Sequence, residues 1–180
     1  DFKGEGEKLK IPEKNVLIFG FLLFVIFGSN GIIIDWSALW FTKELNAPLY
    51  LASLGLIFLS FGGIFANLFS NQLIKLFSEK IVGCYFVIFG SLILFSSIII
   101  GNFYFILITF FFYGFLTANL VPIIIRQAVK HSSESIPTTV TNLITMGFSA
   151  LLFAPAVIGF IAETYSLTIN MYALCIIVFF

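Results

Sequence analysis

The sequence predicts an all-α membrane protein with six transmembrane helices, and three observations carry that expectation. First, 60% of the residues are hydrophobic and 10% charged, with a mean hydropathy of +1.11. Soluble domains carry about 25% charged residues, so this chain cannot cover itself with a polar surface. Second, the chain breaks into long apolar runs separated by short polar turns. Third, Lys and Arg alternate between the connections. Lys3, Lys8, Lys10 and Lys14 precede the first run, Lys75 and Lys80 follow the second, and Arg126 and Lys130 follow the fourth. Only Lys43 lies on the other set, as the positive-inside rule requires of six helices whose N-terminal end is cytoplasmic.

In chain order, residues 1–15 form a solvated charged segment, and the first run spans 16–41. A turn at 42–48 leads to the second run, 49–70, and a loop at 71–80 to the third, 81–100. Gly101-Asn102 makes a minimal turn into the fourth run, 103–125. After a loop at 126–137 comes the fifth, 138–162, and after 163–166 the sixth, 167–180. Five runs reach the roughly 20 residues that cross the hydrocarbon core. The sixth has 14 residues and reaches only about 21 Å. Together with a start at Asp1, that reads as a fragment or a truncated reading frame.

Composition also narrows function. Zero net charge leaves no basic surface for nucleic acid. No HExxH, paired-Cys, Walker or GxSxG pattern is present, so no enzyme, metal or cofactor is expected. Cys84 and Cys175 lie in apolar runs and read as small buried side chains. Trp36, Trp40 and Tyr50 read as an outer interfacial belt. His131, beside Ser132, Ser133 and Glu134, reads as solvated.

The polar residues inside the runs are the candidates for function, because polar groups at membrane depth gather at helix contacts or water-filled cavities. Asp35 is the one charged residue inside an apolar run, and Gly28, Gly31 and Asp35 share a helical face. Insertion of a carboxylate costs roughly 2.5–3.5 kcal/mol, which makes Asp35 a site candidate. Its distance along the first helix equally suits a structural cap beside Trp36 and Ser37. Ser53, Ser60 and Asn67 repeat every seventh residue on the second helix, and Asn142, Thr145 and Ser149 share a face of the fifth, before Pro155 and Gly159 weaken it. On the fourth, Gly114 and Ala118 precede Asn119 and Pro122. Dividing the helices three and three places interruptions at Gly28–Asp35 and Gly114–Pro122, at matching depths of helices that run in opposite directions. Interrupted helices at matching positions of inverted repeats point to a transporter's substrate site.

These residues also carry a family resemblance. Gly31-x-x-x-Asp35-Trp36-Ser37-Ala38-Leu39-Trp40 resembles the seventh helix of the fucose-permease-like bacterial branch of the major facilitator superfamily. Thr117-Ala118-Asn119-Leu120-Val121-Pro122 resembles its tenth, and Gly147-Phe148 through Pro155, Gly159-Phe160 and Glu163 its eleventh. The resemblance implies that 16–180 is the C-terminal half of a twelve-helix fold with 3+3 inverted repeats, and 1–15 the end of its central cytoplasmic loop. It further implies an inner-membrane, proton-coupled secondary transporter of a small sugar-like solute or metabolite, working by alternating access with a separate N-terminal six-helix half. Asp35, Asn30, Asn119 and Asn142 would line the substrate or proton path. Gly28, Gly31, Gly114, Pro122, Pro155 and Gly159 would serve packing or hinging. Two departures stand out: Asn30 replaces the family's frequent Glu, and Ser70-Asn71-Gln72 with Lys75 replace most of the charged loop that latches its cytoplasmic gate. The competing readings are a non-transporting membrane subunit or decayed half-transporter remnant, and a half-sized chain that homodimerises.

Overall fold

A computed structural model describes residues 12–179, and all of its regular structure is helical. The first span, α1 (Lys14–Lys43), is a single 30-residue helix. A 3-10 turn at Leu49–Leu51 and α2 (Leu54–Leu68) make the second. The third comprises α3 (Ser70–Lys80), a π-helical turn at Ile81–Tyr85 and α4 (Phe86–Ile100). The fourth is α5 (Phe103–Thr117) and α6 (Leu120–Lys130), the fifth α7 (Ile136–Thr164), the sixth α8 (Leu167–Phe179). Five spans are long and apolar enough to cross a membrane, and α8 is a shorter apolar helix.

Local chemistry accounts for several boundaries. Asn102 caps α5 by accepting from the Phe105 amide at 3.1 Å, and Gly101 before it takes φ 67°, where a side chain would be strained. Ser135 caps α7 through the Thr138 amide, with Pro137 in the first turn where no donor is needed. The fourth span breaks at Ala118–Asn119, because Pro122 has no N–H to offer the Ala118 carbonyl.

Other expectations need correcting. Residues 71–80, read as a loop, are helical in α3, interrupted at Ser78 (φ 70°), and α6 carries the helix through Arg126 to Lys130. The first span is not interrupted at Gly28–Asp35, and α7 runs unbroken through Pro155. A glycine weakens a helix by only about 1 kcal/mol, which packing along its whole length overrides. Trp40 is not a belt residue. It is fully buried and donates its indole N–H to Thr168 Oγ1 at 2.8 Å. Cys84 is exposed on the protein surface, while Cys175 is buried, and both are free thiols.

Packing pairs the spans. The first lies along the fifth, and the second along the fourth, with the third and sixth packed on each other and on these pairs. The main core joins Ile33, Trp40, Phe41, Phe110, Tyr113 and Leu174. Phe41 sits at its centre, edge-on to Phe103 and tilted against Phe110. A smaller core of Val16, Leu23, Ile124, Ala128 and Leu143 closes the end that carries Lys14 and Lys130, called the basic end below.

The second and fourth spans touch backbone to backbone. A methyl group on Gly62 would lie 1.9 Å from the Phe111 carbonyl oxygen, and one on Gly114 would lie 2.1 Å from that of Leu59. Each helix contributes a small-x-x-x-small pair, Gly62 with Ala66 and Gly114 with Ala118, the pattern that lets helices approach closely in lipid.

Candidate functional site

The spans differ in what they expose. On α4 and α8 the large exposed residues are apolar, among them Phe89, Leu92, Ile99, Ile176 and Ile177, as a lipid-facing surface requires. Exposed Ser96 on the third span satisfies itself by donating to the Leu92 carbonyl at 2.8 Å. The exposed surface of the first, second and fifth spans is mostly apolar as well, with Ile34, Phe61 and Leu152 on it, but it also carries Asp35, then Ser53, Ser60 and Asn67, then Thr141 and Thr145. A polar side chain exposed at membrane depth belongs against water or another protein rather than hydrocarbon. These exposed polar positions on three spans, called the polar face below, are the candidate site.

The predicted residues fall at different depths on it and behind it. Asp35 is exposed near the level of Gly159, since a methyl group on Gly159 would lie 3.6 Å from the neighbouring Trp36 ring. Asn30, at the middle of α1, is half-buried. Asn142 is half-buried near the basic end of α7, where it donates to Glu134 Oε2 at 3.2 Å. Seventeen residues separate Asn142 and Gly159 along α7, which at 1.5 Å each is about 25 Å. Asn119 lies behind the face, 1% exposed, at the break in the fourth span. Its amide donates to the Ala66 carbonyl of the second span at 3.4 Å, while its own oxygen is buried with no donor. The Trp36 indole N–H and the Ser37 hydroxyl are likewise buried and unpartnered. Such groups cost about 1–3 kcal/mol each until a partner arrives.

The hinge and packing candidates divide. A methyl group on Gly28 would lie 3.7 and 3.8 Å from Ala150 and Ala154, and one on Gly31 3.6 Å from Leu151, so both glycines are packed against α7. Gly114 forms the tight crossing with the second span. Pro122 and Pro155 are both exposed; only Pro122 accompanies a break. A separate groove of about 520 Å³, bounded by Leu22, Ile26, Lys80, Cys84, Ile123 and Ile177, is lined by none of the four polar candidates. No metal-ligating cluster occurs among the described residues.

Hydrogen bonds at the span ends escaped the sequence reading. At the basic end Glu13 accepts from the Ser133 amide at 3.1 Å and from its hydroxyl, and the Glu13 amide donates to Glu134 at 3.0 Å. The two Ser133 donors hold the Glu13 carboxyl below its usual pKa. Arg126 pairs with Glu79 at 2.5 Å, and Gln127 donates to the same carboxylate at 2.6 Å. The charged loop expected after the second span is eroded, yet this link joins the third and fourth spans at the same end. At the opposite end Glu44 accepts from the Leu167 amide at 2.6 Å, the Thr168 amide at 2.9 Å and the Thr168 hydroxyl at 2.5 Å. No spacing rule could have found partners this far apart in sequence.

The fold and this polar face define a multi-pass, all-helical membrane protein. Comparison with known proteins narrows the class. The chain is 30% identical over 173 residues to an uncharacterized MFS-type transporter of Yersinia pestis, covering 92% of this chain and 43% of that protein. It is 27% identical over 175 residues to membrane protein MosC of Rhizobium meliloti, covering 93% of this chain and 42% of that one. It therefore spans less than half the length of either relative. No family model matches the chain, and no solved structure matches it. Membrane-length helices together with a relative named as a transporter support a transporter in general terms.

Proposed function

We propose that this chain is one six-helix half of a secondary transporter of the major facilitator type, moving a small solute by alternating access. The observation that carries the reading is the polar face on the first, second and fifth spans. In a bilayer that face needs a second protein surface or a water-filled path, and a second six-helix half supplies both. The length of the named relatives agrees with a second half. The pairing of spans supports 3+3 inverted repeats. Exchanging one with four, two with five and three with six turns the first–fifth contact into the fourth–second contact.

In this reading the basic end, with Lys14, Lys75, Lys80, Arg126 and Lys130, faces the cytoplasm of a bacterial inner membrane. Asp35 contacts solute or coupling proton from the outer third of its span, and Asn30 lies deeper on the same helix. Asn119 supplies an amide acceptor whose missing donor is a solute hydroxyl, an ammonium or water. Asn142 sits at the inner mouth, held by Glu134. Fucose-like sugars and other polar metabolites are the solute class by resemblance, with the proton as coupling ion.

The test is uptake into proteoliposomes by the full-length protein, screened over sugars and small metabolites. Asp35→Asn is expected to lower proton-driven uptake at least about tenfold, while solute exchange without a proton gradient persists, because only the ionisable form can couple. Unaltered proton-driven uptake would remove Asp35 from the mechanism. A protein that moves no solute in either mode, and shows no accessibility change from either side, favours the non-transporting subunit or remnant.

A further inference from the structure

We infer that the groove of about 520 Å³ between the first, third, fourth and sixth spans is a binding site for an anionic phospholipid. Lys80 takes the headgroup phosphate, and the apolar trough takes an acyl chain. Such a site needs only that the spans cross a bilayer, not that they move a solute.

The groove changes character along its length. Glu79, Lys80 and Gln127 line it, and the hydrogen bond from Gln127 to Glu79 puts them together at the basic end. Every other residue lining it is apolar or glycine, from Leu22 and Ile26 on α1 to Ile123 on α6, with the Cys84 thiol as a small apolar group. Leu22, Cys84 and Ile177 are exposed, so the groove opens onto the surface of the bundle and is not a closed core cavity. A polar solute would find no partner beyond its mouth.

Its depth fits one leaflet. The lining positions run from Phe19 to Ile26 on α1 and from Leu120 to Gln127 on α6, seven residues apart in each helix. At 1.5 Å per residue that is about 10 Å. The hydrocarbon of one leaflet is about 15 Å deep, and a spanning helix of a second chain would need a trough of about 30 Å. A short apolar trough entered from a charged end suits an amphiphile.

Charge selects the headgroup. The Glu79 carboxylate is already engaged, one oxygen by Arg126 and the other by Gln127. Lys80 is exposed and joins no ion pair among the described residues. Lys14 and Lys130 stand at the same end. The charge left at the mouth is therefore positive and complements a phosphodiester, as basic pockets between spans at a membrane face do for anionic lipids. The stem of Lys80 can lie along the trough while its ammonium reaches the headgroup level.

Photolabelling tests the site without reading transport. The full-length protein is reconstituted in phosphatidylcholine vesicles holding a small share of phosphatidylglycerol with a photoactivatable acyl chain, and crosslinked residues are mapped by mass spectrometry. Labels are expected on Leu22, Cys84 and Ile123, and the same photoactivatable chain on phosphatidylcholine should mark them far less. Lys80→Glu turns attraction into repulsion and is expected to lower the labelling roughly tenfold, while Lys80→Arg retains it. Lys75→Glu, at an exposed position outside the groove, should leave it unchanged. Cys84→Trp fills the trough from an exposed position and should abolish labelling at Leu22 and Ile123 in protein that stays monodisperse. Equal labelling by the choline probe, indifference to Lys80→Glu, or the same loss with Lys75→Glu would overturn the headgroup assignment. Labels on the outer faces of the spans with none in the trough would mean that a protein segment fills it, and would overturn the site altogether. Trough labelling with these dependences in a protein that moves no solute supports the lipid site and counts only against the transporter reading.

Discussion

The two long helix pairs solve the same packing problem by opposite means. Where the second span crosses the fourth, backbone meets backbone, and the atoms that a methyl on Gly62 or Gly114 would strike are carbonyl oxygens and amide nitrogens. Where the first lies along the fifth, side chains fill glycine notches: Met146 over Gly20 and the Phe27 ring over Gly147. In lipid no hydrophobic force distinguishes helix from solvent, so close backbone approach and dispersion must hold pairs together. The first arrangement has no soft part and behaves as a fixed crossing. The second has flexible side chains between the helices and can absorb small shifts.

That contrast predicts a graded series. Gly62→Ala and Gly114→Ala should be the most disruptive, at about 3 kcal/mol or more, because neither backbone can yield without moving a whole helix. Loss of folded, monodisperse protein in mild detergent would show it, and a wild-type melting temperature would break the fixed-crossing argument. Gly147→Ala should cost about 1–2 kcal/mol, since the Phe27 ring can tilt but not leave. Gly20→Ala should cost under about 1 kcal/mol, because a thioether rearranges readily, and pairing it with Met146→Ala should recover most of the loss. Thermal unfolding of the three classes side by side gives the order; equal losses would erase the distinction.

The smallest effect belongs to the basic end of the adjustable pair. Ser133 donates to ionised Glu13, which lowers the Glu13 pKa in the folded state. The sign follows: the tie is complete above the unfolded carboxylate value and is lost as pH falls through the lowered folded value. Hydrogen exchange at the Ser133 amide should therefore quicken below the ordinary carboxylate range beyond its intrinsic pH dependence, and Glu13→Gln should abolish that extra response.

Much of this was legible in the residues. Five membrane-length helices were legible in their number and order, as were the Gly101-Asn102 turn and the break before Pro122, although the third and fourth helices run longer than the apolar stretches. The polar repeat Ser53, Ser60 and Asn67 was likewise visible as one face and is exposed as one. The errors share a cause. Gly28, Gly31 and Pro155 resemble interruptions in sequence but lie in unbroken helices, because the packed partner outweighs a local weakness. Residues 71–80 are too polar to read as part of a span, yet form α3 outside the apolar stretch.

By itself the sequence determined the membrane class, the span order and the capped helix starts at Asn102 and Ser135. Those rest on hydropathy and on donors and acceptors within four residues of each other, which no distant partner can supply. Only the tertiary structure decided that Gly62 and Gly114 make the close crossing, that Trp40 is buried, and that Glu44 and Glu79 find Thr168 and Arg126. Each of those outcomes depends on which helix lies opposite and at what register, and a linear pattern of apolar and polar residues leaves that undetermined.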